Sequence, residues 1–127
     1  MNVYFARCRS HAGMIKIGVS NDVDKRLRQL STGNPHHIYL MFSINMNSEK
    51  RAKRAEKQIH HMFRYCRGAG EWFTGDKFLL IFIGELKEGF DYRLSLDRAY
   101  VNTQKRRKDF YSHGLSRAKG FRWGKRC

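Results

Sequence analysis

The first 26 residues contain the segments on which the predicted fold depends. They are Val3-Tyr4-Phe5, then Met14-Ile15-Lys16-Ile17-Gly18, and then Arg26. Residues 2–8 are rich in β-branched and aromatic types, residues 11–13 are expected to form a turn, and residues 14–18 are mostly apolar again. The pattern predicts an antiparallel β-hairpin followed by a helix. These elements would carry a phenol, an ammonium and a guanidinium into one neighbourhood, and a site that cuts phosphodiesters needs such groups.

Hydrophobic periodicity predicts a helix and a third strand after the hairpin. The helix has apolar residues at i, i+4 and i+7, and it ends at residues 33–35, whose sequence is Gly-Asn-Pro. Residues 37–44 follow a period of two, which predicts a strand with four apolar side chains on one face. These four residues are Ile38, Leu40, Phe42 and Ile44.

Two further apolar segments follow the third strand. A long helix is predicted from Ser48 to about Tyr65, and its buried stripe consists of Ala52, Ala55, Ile59, Met62 and Phe63. Residues 77–86 contain the run Phe-Leu-Leu-Ile-Phe-Ile, which periodicity alone cannot assign. We interpret this run as a helix starting near Asp76, with a buried strand as the alternative.

The composition changes after Gly89, where apolar residues become sparse and basic residues cluster. A helix over residues 97–110 is compatible with the pattern, and the glycines beyond residue 113 predict a loop or a disordered arm. We therefore divide the chain into a folded domain of residues 1–90 and a basic extension of residues 91–127. The sequence contains no internal repeat.

The charge of the chain identifies a class of partner. The 127 residues contain 26 Lys and Arg against 11 Asp and Glu, and the formal net charge is +15. Residues 91–127 hold 11 basic and 3 acidic residues, a net charge of +8. A polyanion is the natural partner of such a chain, because neutralising phosphates releases counterions. An anionic membrane ranks below nucleic acid, because no apolar run approaches twenty residues.

Basic residues of the extension are the predicted nucleic-acid-binding positions. Aromatic residues lie between them, which suits base stacking beside phosphate contacts. The alternative is a tail that only increases solubility. The predicted phosphate-binding residues are Lys105, Arg106, Arg107, Lys108, Arg117, Lys119 and Arg122.

The cysteines and the first residues indicate a cellular compartment. Cys8, Cys66 and Cys127 are an odd number with no CxxC motif, which predicts free thiols in a reducing compartment. The chain starts without the basic and then apolar layout of a signal peptide. A cytoplasmic location is therefore expected.

The order of five features resembles the GIY-YIG nuclease superfamily, in the phage-associated branch whose second motif is written KIG. The features are Val3-Tyr4-Phe5, Lys16-Ile17-Gly18, Arg26, Glu56 with Ile59-His60 and Phe63, and Glu71-Trp72-Phe73, and Asn34-Pro35 after the first helix agrees with them. The resemblance covers about residues 2–86. The resemblance implies a small α/β domain, with a three-stranded antiparallel sheet flanked by helices, that cuts DNA with one divalent metal.

The resemblance also implies a role for each matching residue. Tyr4 would deprotonate the attacking water, Lys16 would supply charge or hold the nucleophile, and Arg26 would stabilise charge on the phosphate. Glu56 would bind Mg²⁺ or Mn²⁺ as the metal cofactor. His60 would assist at the phosphate or simply pack. Glu71 is expected to cap or orient the aromatic pair that follows it.

Two departures from the family pattern keep a second function in consideration. Val3 replaces the glycine of the first motif, and Lys16 replaces the tyrosine of the second. The leading prediction is a metal-dependent DNA endonuclease, and the alternative is a nucleic-acid-binding module on the same fold with weak or no catalysis. DNA is the expected partner and RNA the second candidate. An interaction protein that binds an acidic partner has no positive signal, and the sequence does not specify an oligomeric state.

Overall fold

A computed structural model of the chain describes residues 1–10 and 13–113, with side chains described as far as residue 110. The described residues form an α/β fold with the following elements. They are β1 (Asn2–Cys8), β2 (Ile15–Ser20), α1 (Val23–Ser31), β3 (Ile38–Asn45), α2 (Glu49–Met62), a 3₁₀ turn (Arg64–Cys66), β4 (Trp72–Phe73), α3 (Lys77–Lys87) and α4 (Tyr92–His113). Part of the predicted turn at residues 11–13 and the predicted positions Arg117, Lys119 and Arg122 lie outside the described residues.

The sheet has four antiparallel strands in the order β3-β1-β2-β4. The predicted hairpin is confirmed, because β1 pairs with β2 from Asn2 opposite Ser20 onward. The predicted number of three strands is wrong by one. The added strand β4 pairs Trp72 with Lys16 and Phe73 with Ile15. Two residues are too few to show a period of two, so this strand is defined only by its long-range pairing.

The two faces of the sheet bury different clusters. One face carries Val3, Phe5, Ile15 and Ile17 and packs against α2 and α3. The opposite face carries Tyr4, Ala6 and Cys8, and it packs against α1 and Ile38. Alternation along β1 therefore places the Tyr4 side chain on the α1 side of the sheet, where it is 1% exposed.

The predicted single apolar face of β3 is wrong. β1 and β3 change register between Phe5 and Ala6, so that Phe5 pairs with Phe42 and Ala6 pairs with Leu40. This irregularity inserts Met41 as an extra residue in β3 and reverses the alternation. Consequently the side chains on either side of it lie on opposite faces of the sheet.

The helices confirm most of the apolar pattern. All five residues of the predicted α2 stripe are buried. The helix ends at Met62, before the predicted end at residue 65, and a 3₁₀ turn follows. Residues 77–87 are helical, which confirms the first interpretation of that apolar run. No helix within the described ranges is long and apolar enough to span a bilayer.

Helix α4 is longer and more closely packed than the sequence predicted. It begins at Tyr92, and Ser95, Ala99 and Thr103 along it are buried. Ala99 belongs to the main core cluster, and α4 contacts α2, α3 and the 3₁₀ turn. The described part of the basic extension is therefore packed on the preceding residues, and the division at residue 90 stays a prediction.

Two arginines that were predicted to bind phosphate already bind other residues of the fold. Arg107 is buried, and its guanidinium donates hydrogen bonds to Thr103 Oγ1 at 3.0 Å and to the Tyr100 carbonyl at 2.8 Å. Its prediction as a surface phosphate ligand is therefore corrected. Arg106 forms an ion pair with Asp76. Lys105 and Lys108 are exposed, and their role stays a prediction.

The thiol prediction is correct for one described cysteine and wrong for the other. Cys66 is a free buried thiol whose pKa burial raises to about 12. Cys8 is disulfide-bonded. The expectation of a reducing compartment rested on free thiols, and the disulfide at Cys8 removes part of that basis.

Asp76 connects three elements at the start of α3. Its side chain caps the helix by accepting hydrogen bonds from the backbone N–H groups of Phe78 and Leu79. The same carboxylate accepts a hydrogen bond of 2.7 Å from the Tyr65 hydroxyl and pairs with Arg106 of α4. One side chain therefore joins the 3₁₀ turn, α3 and α4.

We expect Asp76→Ala to lower the free energy of unfolding by about 2–3 kcal/mol, because it removes a cap and leaves buried partners unsatisfied. Urea denaturation followed by circular dichroism measures the loss. Asp91→Ala is the matched control, since the Asp91 side chain accepts only the cap bond from Leu94 N among the bonds described for it. Its expected loss is about 1 kcal/mol. Equal losses for the two variants would show that Asp76 is only a cap.

Candidate active site

A cleft of about 420 Å³ opens beside the first two strands. Side chains from β1, β2, α1, α2 and the segment before β4 line it. Three of the predicted site residues, Tyr4, Arg26 and Glu56, share this cleft. The other lining residues are Val19, Lys53, Lys57 and Glu71. Residues far apart in the sequence are therefore brought to one concave surface.

The Tyr4 phenol is held between Gly18 and Arg26. Tyr4 pairs with Gly18 across the β1–β2 ladder, and a Cβ atom on Gly18 would lie 2.6 Å from the phenol oxygen. Burial raises the pKa of Tyr4, while a hydrogen bond from Arg26 and its positive charge oppose that rise. The phenol therefore holds its proton more strongly than a free phenol does, and the positive charge of Arg26 acts against this effect.

The Glu56 carboxylate is in an unusual environment for a surface-helix glutamate. Its Oε2 atom is buried and has no hydrogen-bond partner among the described residues. Burial raises the pKa of Glu56, as does the nearby Glu71 charge, whereas Lys16, Arg67 and Lys53 lower it. Lys53, three residues earlier in α2, forms its ion pair with Glu49 at 2.9 Å, and no ion pair joins Glu56 to another described residue.

Lys16 is paired with a carboxylate of the cleft. Its ammonium lies 3.0 Å from Glu71 Oε1 and 5.7 Å from the centre of the Trp72 ring. Pairing of β2 with β4 brings these two residues alongside Lys16. Its predicted role, supplying charge or holding the nucleophile, stays a prediction, and the positive charge of Arg26 acts to lower the pKa of Tyr4.

His60 links α2 to the hairpin. Its Nε2 atom lies 2.9 Å from the Ile17 carbonyl oxygen, so this nitrogen carries the proton and donates. The ring is tilted against Phe73 with 5.1 Å between centroids, and burial lowers the pKa of the imidazole. The contacts give His60 a packing role next to Glu56, and its assistance at a phosphate stays a prediction.

Glu56, His60 and Glu71 form a group that fits a divalent cation. Each offers one ligand atom, and these atoms lie within 4.8 Å of one another. The unpartnered Glu56 oxygen is an anionic ligand that the described residues leave unsatisfied. Mg²⁺ and Mn²⁺ prefer such oxygen ligands, and Mg²⁺ keeps several waters, so it needs few carboxylates.

Three residues that line the cleft were not predicted as site residues. Glu71 was expected to cap or orient the aromatic pair, but its carboxylate lines the cleft and pairs with Lys16. Lys53 and Lys57 line the cleft from α2. Their spacing from Glu56 along a helix, at three residues before and one after, was the only sequence signal for them.

We expect Gly18→Ala to disturb the site selectively. The new methyl group would lie 2.6–2.9 Å from three atoms of the Tyr4 side chain, so the ring must move, at a cost of about 1–3 kcal/mol in stability. Urea denaturation measures that cost. Gly84→Ala is the control, because nothing lies within 4 Å of its Cβ position in α3. It should gain about 0.5–1 kcal/mol. A Gly18→Ala protein as stable as wild type would contradict the packing described here.

The fold and the cleft together define a small basic α/β domain whose concave site combines a phenol, a guanidinium and carboxylates. The T5orf172 domain model matches residues 1–91, so the chain belongs to the T5orf172 domain family. This phage-associated domain is found in some nucleases and GIY-YIG-like proteins. Comparisons with curated proteins and with solved structures give no match.

The family match confirms the coarser part of the resemblance seen in the sequence. The matched residues contain the whole cleft and end as α4 begins. Membership is suggestive of a nuclease or DNA-binding function.

Proposed function

We propose that this protein is a divalent-metal-dependent DNA endonuclease that hydrolyses phosphodiester bonds. The observation that carries the proposal is the buried Glu56 oxygen without a partner, in the same cleft as Tyr4 and Arg26. A binding surface alone has no use for a desolvated carboxylate, because it repels phosphate. A site that binds a cation and a phosphate together does use one.

Arg26 would contact the substrate phosphate, and Tyr4 would contact the attacking water. Arg26 is partly exposed and lines the cleft with Tyr4, so its guanidinium would be available to an incoming phosphate oxygen beside the phenol. As a phenolate, Tyr4 would orient the attacking water and accept its proton. The phenol would first have to release its own proton to solvent, and because burial raises the pKa of Tyr4, this release needs positive charge beside the phenol.

Glu56 and Glu71 are the residues that would hold Mg²⁺ or Mn²⁺. When bound, the ion supplies Lewis-acid stabilisation of the phosphate and of the departing 3′-oxygen, and its charge favours the phenolate form of Tyr4. Lys16 keeps Glu71 in place through its ion pair and reduces the repulsion between the two carboxylates.

DNA is the proposed substrate, and RNA is the second candidate. The net charge of +15 and the family membership support a nucleic-acid partner. Lys105 and Lys108 on α4 stay proposed phosphate contacts, as do Arg117, Lys119 and Arg122 outside the described residues. Hydrolysis in this arrangement would leave 5′-phosphate ends.

The second candidate is a nucleic-acid-binding module without catalysis. The observation that favours it is the Lys16–Glu71 ion pair, because the pair neutralises one of the two carboxylates that could bind a metal. Both functions share the basic surface and differ only in the use of the cleft.

Incubation of supercoiled plasmid DNA with the full chain separates the two candidates. With Mg²⁺ or Mn²⁺ we expect nicked and linear products whose ends T4 DNA ligase rejoins directly, and with EDTA we expect none. Binding is measured in parallel by fluorescence anisotropy in EDTA. A protein that binds DNA but leaves the plasmid intact with both metals would be the binding module.

A further inference from the structure

The solvent-facing side of α2 is strongly basic. Five of its residues carry positive charge, and they are Lys50, Arg51, Lys53, Arg54 and Lys57, all exposed. Glu49 pairs with Lys53, and Glu56 turns into the cleft. Within the described part of the chain the other four cations have no acidic partner within ion-pair distance.

The basic residues of α2 connect two concave regions. At 100° per residue, Lys53 and Lys57 fall on the side of Glu56, and both line the candidate active site. Arg51 and Arg54 fall on the other side of the helix. They line a second groove of about 260 Å³, on the far side of α2 from the cleft.

The second groove receives a further cation from α4. Arg93 lines it together with Arg51 and Arg54. The Tyr92 hydroxyl donates a hydrogen bond of 2.8 Å to Gln58 Oε1, so the first turn of α4 is tied to α2 at this groove. Three arginines from two helices thus surround one depression, and arginine is well suited to bind phosphate through paired N–H groups.

The cations of α2 repel one another within the helix, and their spacing matches the spacing of phosphates along a nucleic-acid backbone. Lys50 and Arg54, and Lys53 and Lys57, are like-charged pairs at i, i+4, which is unfavourable in isolation. Residues 50–57 extend roughly 10 Å along the helix axis, the rise of about three phosphates on one DNA strand. A phosphate backbone over this face would relieve the repulsion.

We propose that the outer face of α2, with Arg93, is the track along which the DNA backbone runs from the cleft to the second groove. The inference rests on the proposed function for its choice of DNA. It extends that function, because it places the main phosphate contacts on α2 and the first turn of α4 and not on the basic cluster that begins at Lys105. Arg106 and Arg107 of the extension are already bound within the fold.

The test compares two double variants of the full chain that remove the same charge. Arg51→Gln/Arg54→Gln removes two cations of the track, and Lys77→Gln/Lys87→Gln removes two exposed cations of α3. Affinity for a fluorescein-labelled DNA duplex of about 20 base pairs is measured by anisotropy in EDTA over a range of salt concentrations. Circular dichroism confirms that both variants fold.

We expect the α2 variant to bind about tenfold or more weakly at 0.1 M salt, and its slope of log affinity against log salt to fall by about 1.8. The α3 variant should keep the wild-type slope. The inference is overturned by an unchanged slope for the α2 variant, by equal losses in both variants, or by a wild type that binds RNA but no DNA. Cleavage plays no part in EDTA, so an inactive protein that binds along α2 would refute only the proposed nuclease.

Discussion

Glu56→Gln is expected to reduce the rate of plasmid cleavage by about 100-fold or more, while DNA affinity in EDTA stays within a factor of two or so of wild type. The carboxylate is the anionic ligand that the cleft offers without a partner. Loss of one group that stabilises charge in a transition state typically costs 10²–10³ in rate. Glutamine keeps the shape of the side chain, so a lower cleavage rate would result from the loss of its negative charge.

The same variant is expected to be as stable as wild type or more stable in metal-free buffer at pH 7. Burial raises the pKa of Glu56 in the folded state. A group with a raised folded pKa stabilises the protein fully only below its unfolded pKa, and that contribution falls as pH rises through the folded pKa. The stability of wild type relative to Glu56→Gln should therefore decrease as the pH rises from about 4, near the ordinary pKa of a glutamate, through the raised pKa of the folded state.

Glu49→Gln is the matched control for both measurements. Glu49 is exposed on the same helix and pairs only with Lys53 among the described residues, so its replacement should change stability by less than about 0.5 kcal/mol and leave cleavage unchanged. Cleavage by Glu56→Gln at the wild-type rate would contradict the role of this carboxylate. A clear loss of stability at pH 7 would instead show that Glu56 is a structural residue.

Tyr4→Phe is expected to reduce cleavage by about 10²–10⁴-fold, the range for loss of a general acid or base. The phenyl ring fills the same space against Gly18, so the fold is kept, and only the hydroxyl in the cleft is lost. Single-turnover cleavage of a labelled duplex measures the effect. DNA affinity in EDTA should stay unchanged.

Tyr65→Phe is the control for loss of a hydroxyl outside the cleft. It removes a hydrogen bond to Asp76 and should cost about 2 kcal/mol of stability with little effect on the single-turnover rate. If both phenylalanine variants cleave like wild type, Tyr4 is a packing residue and the proposed proton transfer is wrong.

The parts of the fold that local periodicity governs were predictable from the sequence. The hairpin, the α2 stripe and the helical nature of residues 77–87 are examples, because each depends on side chains that lie close together in the chain. The incorrect predictions concern features that depend on pairing between strands that are far apart in the sequence. β4 exists only through its contact with β2, and the extra residue Met41 in β3 is set by its register against β1.

The candidate site likewise contains residues that were predictable from the sequence and residues that were not. Tyr4, Arg26 and Glu56 were found through the order of motifs, and the fold brings them to one cleft. The position of Glu71 in the cleft was not predicted, because its approach to Lys16 follows from the β2–β4 pairing that the sequence did not indicate. Arg107 was misjudged because a basic cluster does not show which of its members faces the core.

The central claim is that Tyr4 and Glu56 act in one catalytic site. The most direct measurement is the single-turnover cleavage rate of a labelled duplex with Mn²⁺, for wild type, Tyr4→Phe, Glu56→Gln and the double variant. Residues that act as a unit are strongly non-additive. We predict that the double variant cleaves no more slowly than the slower single variant. Losses that multiply in the double variant, or a wild type with no activity, would contradict the claim.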